Sequence, residues 1–245
     1  MKALIKKIIH SYGYELLPRV LRTHNMEPDF LALYEHCKPF TMTSIERMYA
    51  LFIAVRHAVR LKLPGEFVEC GVWRGGSCML IAHTLIHLGA TDRRIRLFDT
   101  FEGMSKPTDH DRSVHGQVAE EKWQVTDAGR GWCAASLEDV KQNMASTGYP
   151  MANISFVQGK VEESLPAGAP EAVALLRLDT DWYESTRQEL EVLYPLLSRN
   201  GVLILDDYGH WAGAKKAVDE YFLDHPNPPL FNRIDNAGRL AIKLA

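Results

Sequence analysis

The chain has 245 residues, 46% of them hydrophobic and 24% charged, with a net charge of −3. Those proportions describe a globular chain and speak against disorder or a fibre. The slight acidity supplies no basic field for nucleic acid, and no apolar run reaches the roughly 20 residues that cross a bilayer, which disfavours nucleic acid and stable membrane insertion.

Cys37, Cys70, Cys78 and Cys133 form neither a CxxC pair nor a short disulfide framework, which predicts reduced thiols and a cytoplasmic setting. Met1–His10 sets Leu4, Ile5, Ile8 and Ile9 against Lys2, Lys6 and Lys7. Lysines interrupt the apolar stretch and no cleavage site follows, so this is no signal peptide. Packing on this or a neighbouring subunit is expected, with a membrane-surface helix as the other reading. Residues 1–40, where Pro18, Pro28 and Pro39 break any long helix, read as a helical or irregular N-terminal arm. A homo-oligomer, dimer or tetramer, is expected, with this arm as its packing or exchange element.

Thr43-Ser-Ile-Glu46 is a capping-box pattern, and Ile45, Met48, Phe52, Val55 and Val59 continue at helical spacing until Pro64-Gly65. Glu66–Cys70 reads as the first core strand. Gly75-Gly76 opens a helix running to Gly89, and Ile95–Asp99 is a second strand. Residues 102–131 are polar and aperiodic, rich in Gly, Asp and His, as expected of a lid or acceptor loop. A helix over Ser136–Thr147 and a strand over Ile154–Val157 follow. Then come strand Ala172–Asp179, helix Tyr183–Leu197, strand Gly201–Asp206 and helix Gly213–Leu223. Phe231–Lys243 reads as a hairpin turning at Gly238. The alternation predicts an α/β fold over residues 41–245: a doubly wound, mostly parallel sheet with a C-terminal antiparallel hairpin.

Two apolar runs end in acid, at Asp179 and at Asp206-Asp207, with His210 shortly after. The carboxyl ends of parallel strands form the ligand-facing rim of such a sheet. Acids gathered there repel one another unless a cation sits among them, which points to a hard divalent ion. Magnesium takes about six oxygen ligands, so Asp179, Asp206 and Asp207 leave positions for water or substrate. The alternative reading makes Asp206 or Asp207 a helix cap. Asp181 stands open between replacing Asp179 and binding the acceptor. His210 is the candidate general base; its alternatives are a substrate hydrogen bond or packing beside Trp211.

The first strand runs into Glu69-Cys-Gly-Val-Trp-Arg-Gly-Gly-Ser77. Gly71 permits a tight turn, and Gly75 and Gly76 let backbone approach a ligand at a helix N-terminus. The pattern ExGxxxG differs from the GxGxxG that cradles a dinucleotide pyrophosphate. Glu69 suits a cationic ligand, and Asp99, ending the next strand, suits a ribose diol. Together these features suggest S-adenosylmethionine, with Cys70, Val72 and Trp73 completing the cofactor loop.

Phe67-Val-Glu-Cys-Gly-Val-Trp-Arg-Gly-Gly-Ser77, Phe98-Asp-Thr-Phe-Glu-Gly-Met104, Leu178-Asp-Thr-Asp-Trp-Tyr-Glu-Ser-Thr186 and Asp206-Asp-Tyr-Gly-His-Trp211 resemble the macrocin O-methyltransferase (TylF/MycF) family. Gly159-Lys-Val-Glu-Glu163 and Gly238-Arg-Leu-Ala241 fit it too, so the resemblance spans residues 42–245. It implies a class I methyltransferase fold and a magnesium-dependent transfer from S-adenosylmethionine to a sugar hydroxyl of a glycosylated natural product or polysaccharide. It further implies that Glu69, Gly71 and Ser77 line the methionine end, Asp99 the ribose, and Gly159 to Val161 the adenine. Two other functions compete: a non-catalytic nucleoside-binding protein of this fold, and a nicotinamide-dependent oxidoreductase, which the missing GxGxxG disfavours.

Overall fold

Pro28 begins a helix instead of breaking one. Proline suits the first helical turn, where its missing N–H has no partner to lose, and α1 runs Pro28–Cys37. The computed structural model describes residues 11–12 and 23–244. The amphipathic start at Met1–His10 and Pro18 lie outside the described residues. Within the expected helical or irregular arm, α1 contributes Phe30 and Cys37 to the core. The fully buried Phe30 ring lies 5.7, 5.0 and 5.4 Å from those of Tyr34, Tyr49 and Phe52. Phe30→Ala is expected to cost about 3–5 kcal/mol, read as a lower urea midpoint at unchanged slope.

Helix α2 (Ile45–Arg60) is capped by Ser44, one residue later than the box pattern predicts; Ser44 Oγ accepts from Arg47 N at 3.1 Å. Thr43 is thereby freed for another task. Strand β1 (Glu66–Cys70) leads into α3 (Gly76–His87), and β2 (Ile95–Asp99) follows. Within the 102–131 segment lies a short helix, α4 (Ala119–Val125). Next are α5 (Leu137–Ser146), capped by Ser136, β3 (Ile154–Gln158), α6 (Val161–Gly168) and β4 (Val173–Leu178). Helix α7 (Tyr183–Leu193) ends earlier than predicted and β5 (Leu197–Leu205) begins earlier. Pro195 cannot continue a helix, and Leu197 pairs with Val173 of β4 instead. Helix α8 (Ala212–Leu223) and a hairpin of β6 (Asn232–Arg233) and β7 (Arg239–Ile242) complete the chain.

The seven strands lie in the order β3-β2-β1-β4-β5-β7-β6; β1 to β5 are parallel and β7 is antiparallel to both of its neighbours. Side chains alternate across the sheet. Phe67, Leu175, Val202 and Ile204 pack with α1, α2, α3 and α5 on one face, while Val68, Cys70, Leu176, Leu178, Leu203 and Leu205 pack with α6, α7 and α8 on the other. The order reverses between β1 and β4, where such sheets open their ligand crevice. Register then sets the site: Cys70 pairs with Phe98 and Leu178, and Leu178 with Leu205. The next residues, Gly71, Asp99, Asp179 and Asp206, therefore emerge side by side at one rim.

Candidate functional site

A cavity of about 380 Å³ opens at that rim. It is lined by Gly71, Val72, Trp73, Ser77 and Asp99 at one end, Gly159 and Val161 nearby, and Asp179, Asp181, Asp206, Asp207 and His210 at the other. Every predicted site residue is thus brought to one cavity except three. Glu69, Cys70 and Gly75 do not line it. Cys70 points into the core with Leu178 and Leu190. Gly75, at φ +89°, serves as the N-cap of α3. Glu69 is fully buried and its carboxylate is occupied by Ser77 Oγ, Cys78 Sγ at 2.9 Å, and Arg177. The expectation that Glu69 greets a cationic ligand directly is corrected: its cation is internal.

Gly71 is required by close approach. At φ +81°, a Cβ there would sit 1.9 Å from the Asp179 carbonyl oxygen. The loop beyond it is shaped by Asp99, whose Oδ2 accepts from Val72 N at 2.6 Å and Trp73 N at 3.1 Å, and whose Oδ1 accepts from Phe101 N at 2.7 Å. Burial raises the Asp99 carboxyl above the ordinary range, and these backbone donors oppose the rise. Trp73 and Asp181 hold left-handed backbone at φ +47° and +68°. Such strain persists only where neighbours over-determine it, here through Asp99 and through Asp207 Oδ2, which accepts from Asp181 N at 3.3 Å.

Carboxylate oxygens of Asp179, Asp206 and Asp207 lie within 4.8 Å of one another. Two guanidiniums stand among them. Arg177 Nη2 donates to Asp206 Oδ1 at 2.6 Å and Nη1 to Asp179 Oδ2 at 2.8 Å. Arg47, from the first turn of α2, reaches Asp206 Oδ2 and also Asp235 Oδ2 at 3.0 Å. Thr43 Oγ1, free of the helix cap, donates to Asp206 at 3.2 Å. Burial pushes the Asp179 and Asp207 carboxyls well above their ordinary range; Arg177 opposes this at Asp179, while neighbouring acids add to it at both. Asp181 is pushed up to about 7, mainly by burial.

The acids are thus partly neutralised from within, which sequence reading missed. The signal was present: an arginine inside a buried apolar strand must be paired.

His210 N donates to the Asp207 carbonyl at 2.9 Å, and the His210 ring meets Trp211 edge-on at 4.9 Å. Burial, with His115, Arg47 and Lys122 nearby, lowers the imidazole below its ordinary value.

The 102–131 segment closes over the acid end. Trp132, Trp182 and Trp211 form an aromatic cluster with ring centres 4.9–6.1 Å apart, and Trp182 Nε1 donates to Ser105 O at 3.0 Å. Asp111 is fully buried: Oδ1 accepts from Tyr183 N at 2.8 Å, and Oδ2 from Thr108 N at 2.6 Å. A Cβ on Gly213 would lie 1.9 Å from that Oδ1. Gly213→Ala is therefore expected to displace Asp111 from Tyr183 N and to cost about 1–3 kcal/mol, read as a lower urea midpoint.

The family model for Macrocin-O-methyltransferase (TylF) matches residues 35–240. An 8-demethyl-8-(2,3-dimethoxy-alpha-L-rhamnosyl)-tetracenomycin-C 4'-O-methyltransferase of Streptomyces olivaceus is 32% identical over 239 residues, 96% of this chain and 89% of that protein. A mycinamicin III 3''-O-methyltransferase of Micromonospora griseorubida is 32% identical over 199 residues, 81% of this chain and 76% of that one. The solved O-methyltransferase NovP superposes with a TM-score of 0.75 at 30% identity, covering 84% of this chain and 83% of that chain. The matched span contains the whole parallel sheet, the rim acids and the segment above them, and the chain belongs to the macrocin O-methyltransferase (TylF) family of class I O-methyltransferases.

Proposed function

We propose that this enzyme methylates a sugar hydroxyl of a glycosylated small molecule, taking the methyl group from S-adenosylmethionine with magnesium at the acid cluster. One observation carries the reading: the Gly71–Ser77 loop and the Asp179-Asp206-Asp207 cluster face each other across one cavity. Its volume lies in the range of small-molecule sites. The names of the relatives add that glycosylated natural products are acceptors in this family.

The donor set suits a hard divalent ion. Among the described residues, Glu69, Asp179, Asp206 and Asp235 share the guanidiniums of Arg47 and Arg177, and Asp181 and Asp207 lie beside them. Burial favours the protonated forms of Asp179 and Asp207, and a divalent cation would take the place of those protons. Asp206 already serves both arginines, so Asp179 and Asp207 are the ligands with more free lone pairs.

When bound, the cofactor supplies an electrophilic methyl carbon and the metal lowers the pKa of a coordinated hydroxyl. The protein's residues do the rest. Ser77 and the loop backbone hold the methionine end, Asp99 the ribose, and Gly159 to Val161 border the adenine. His210, neutral at pH 7, accepts the proton of the acceptor hydroxyl, with Asp181 as the other nearby proton acceptor. Trp132 and Trp211 wall the acceptor and exclude water. Positioning of this kind is worth roughly 7–11 kcal/mol in well-oriented reactions.

The test is a panel of glycosylated acceptors with methyl-labelled cofactor, read by mass spectrometry. A methylated sugar product is expected, abolished by EDTA and restored by magnesium. Full turnover in EDTA would remove the metal, and methylation confined to non-sugar hydroxyls would remove the acceptor class. Among the described residues, no helix is long and apolar enough to cross a membrane.

A further inference from the structure

Arg177 is the penultimate residue of β4, and its side chain is 2% exposed. Its guanidinium joins both ends of the site. Nη1 is shared between Glu69 and Asp179, and Nη2 is given to Asp206. Glu69 in turn holds Ser77 Oγ and Cys78 Sγ, in the first turn of α3. Ser77 lines the cavity at the cofactor loop, whereas Asp179 and Asp206 line it at the acid cluster. A second tie runs parallel to this one, because Asp179 N donates to Cys70 O at 2.8 Å.

We propose that Arg177 is a positioning residue that couples the two ligands of this site. A divalent cation on Asp179, Asp206 and Asp207 and the cofactor on the Gly71–Ser77 loop each tighten the other, through Arg177 and Glu69. The proposal rests on the functional reading above. The physical reason is the rigidity of a planar fork that stays charged at any working pH. A cation that fixes Asp179 and Asp206 fixes two arms of the guanidinium and thereby its hold on Glu69. Glu69 then sets Ser77 and the start of α3. Whichever ligand binds first sets this shared network for the other, so the second binds more tightly. Such coupling is reciprocal, and factors of about 5 to 150 are usual.

The test uses metal-depleted full-length protein and calorimetry. S-adenosylhomocysteine is titrated with and without saturating magnesium chloride, and magnesium chloride with and without S-adenosylhomocysteine. This product ligand avoids turnover and carries no sulfonium charge. In the wild type each ligand is expected to tighten the other by the same factor, about fivefold or more. Glu69→Gln keeps the shape and the bond to Ser77 but removes the charge that holds Arg177. Its factor is expected to fall below about twofold, with Arg177→Lys, which offers no planar fork, in between. A merely structural role would weaken both affinities and leave their ratio intact. Independent binding of both ligands to the wild type overturns the coupling alone. A wild-type factor retained in both variants overturns the role of Arg177. Failure of the wild type to bind either ligand overturns the functional reading, and this proposal with it.

Discussion

His210→Ala is expected to lower kcat by about 10²–10⁴-fold, the range found for a positioned general base, while leaving the affinity for S-adenosylhomocysteine nearly unchanged. His210 follows directly from the Asp207 loop, its backbone held by two bonds, from His210 N to Asp207 O and from Val114 N to His210 O, both 2.9 Å, and its ring set edge-on to Trp211. Its pKa is lowered chiefly by burial, so at neutral pH the ring is unprotonated and can accept a proton. The sign of the pH dependence follows. Protonation below the lowered pKa removes the base, so kcat/KM rises with pH through a midpoint below the ordinary imidazole value of about 6.5. His210→Ala removes that acid limb as well as the rate. Wild-type turnover in the variant would leave His210 as a packing partner of Trp211. A retained acid limb at normal turnover would assign the titration to the rim acids Asp179, Asp181 and Asp207.

Gly71→Ala is expected to cost about 3 kcal/mol or more, or to prevent folding. The added Cβ meets backbone, the Asp179 carbonyl oxygen at 1.9 Å and its carbon at 2.5 Å, and no side chain can swing aside to admit it. Its φ of +81° adds left-handed strain. Gly89→Ala is the control. It has φ +66° but nothing within 4 Å of its Cβ, so only the strain, about 1–2 kcal/mol, is expected. Urea midpoints of the two variants measure the difference. Equal midpoints would show that β1 and β4 do not press together at the rim as described.

These two residues sit where local pattern and long-range packing meet. Apolar runs, acids at their ends and glycines after the first strand depend only on near neighbours. They led to the α/β class, to the strand-end rim and to the Asp179-Asp206-Asp207 group. The hairpin about Gly238 was legible for the same reason. Boundaries were less so. The cap at Ser44 instead of Thr43 was decided by Asp206, which draws Thr43 Oγ1 to itself across 163 positions of the chain. The end of α7 was decided by pairing of Leu197 with β4.

Residue order alone therefore settled which groups reach the rim, because strand period and strand termination are local properties. Folding settled who neutralises them. Arg177 lies in an apolar run, and its partners Glu69 and Asp206 are 108 and 29 positions away. Only the register of β1, β4 and β5 brings those side chains together. Charge pairing in a buried site depends on separations of a few ångströms, and strand alignment sets those separations.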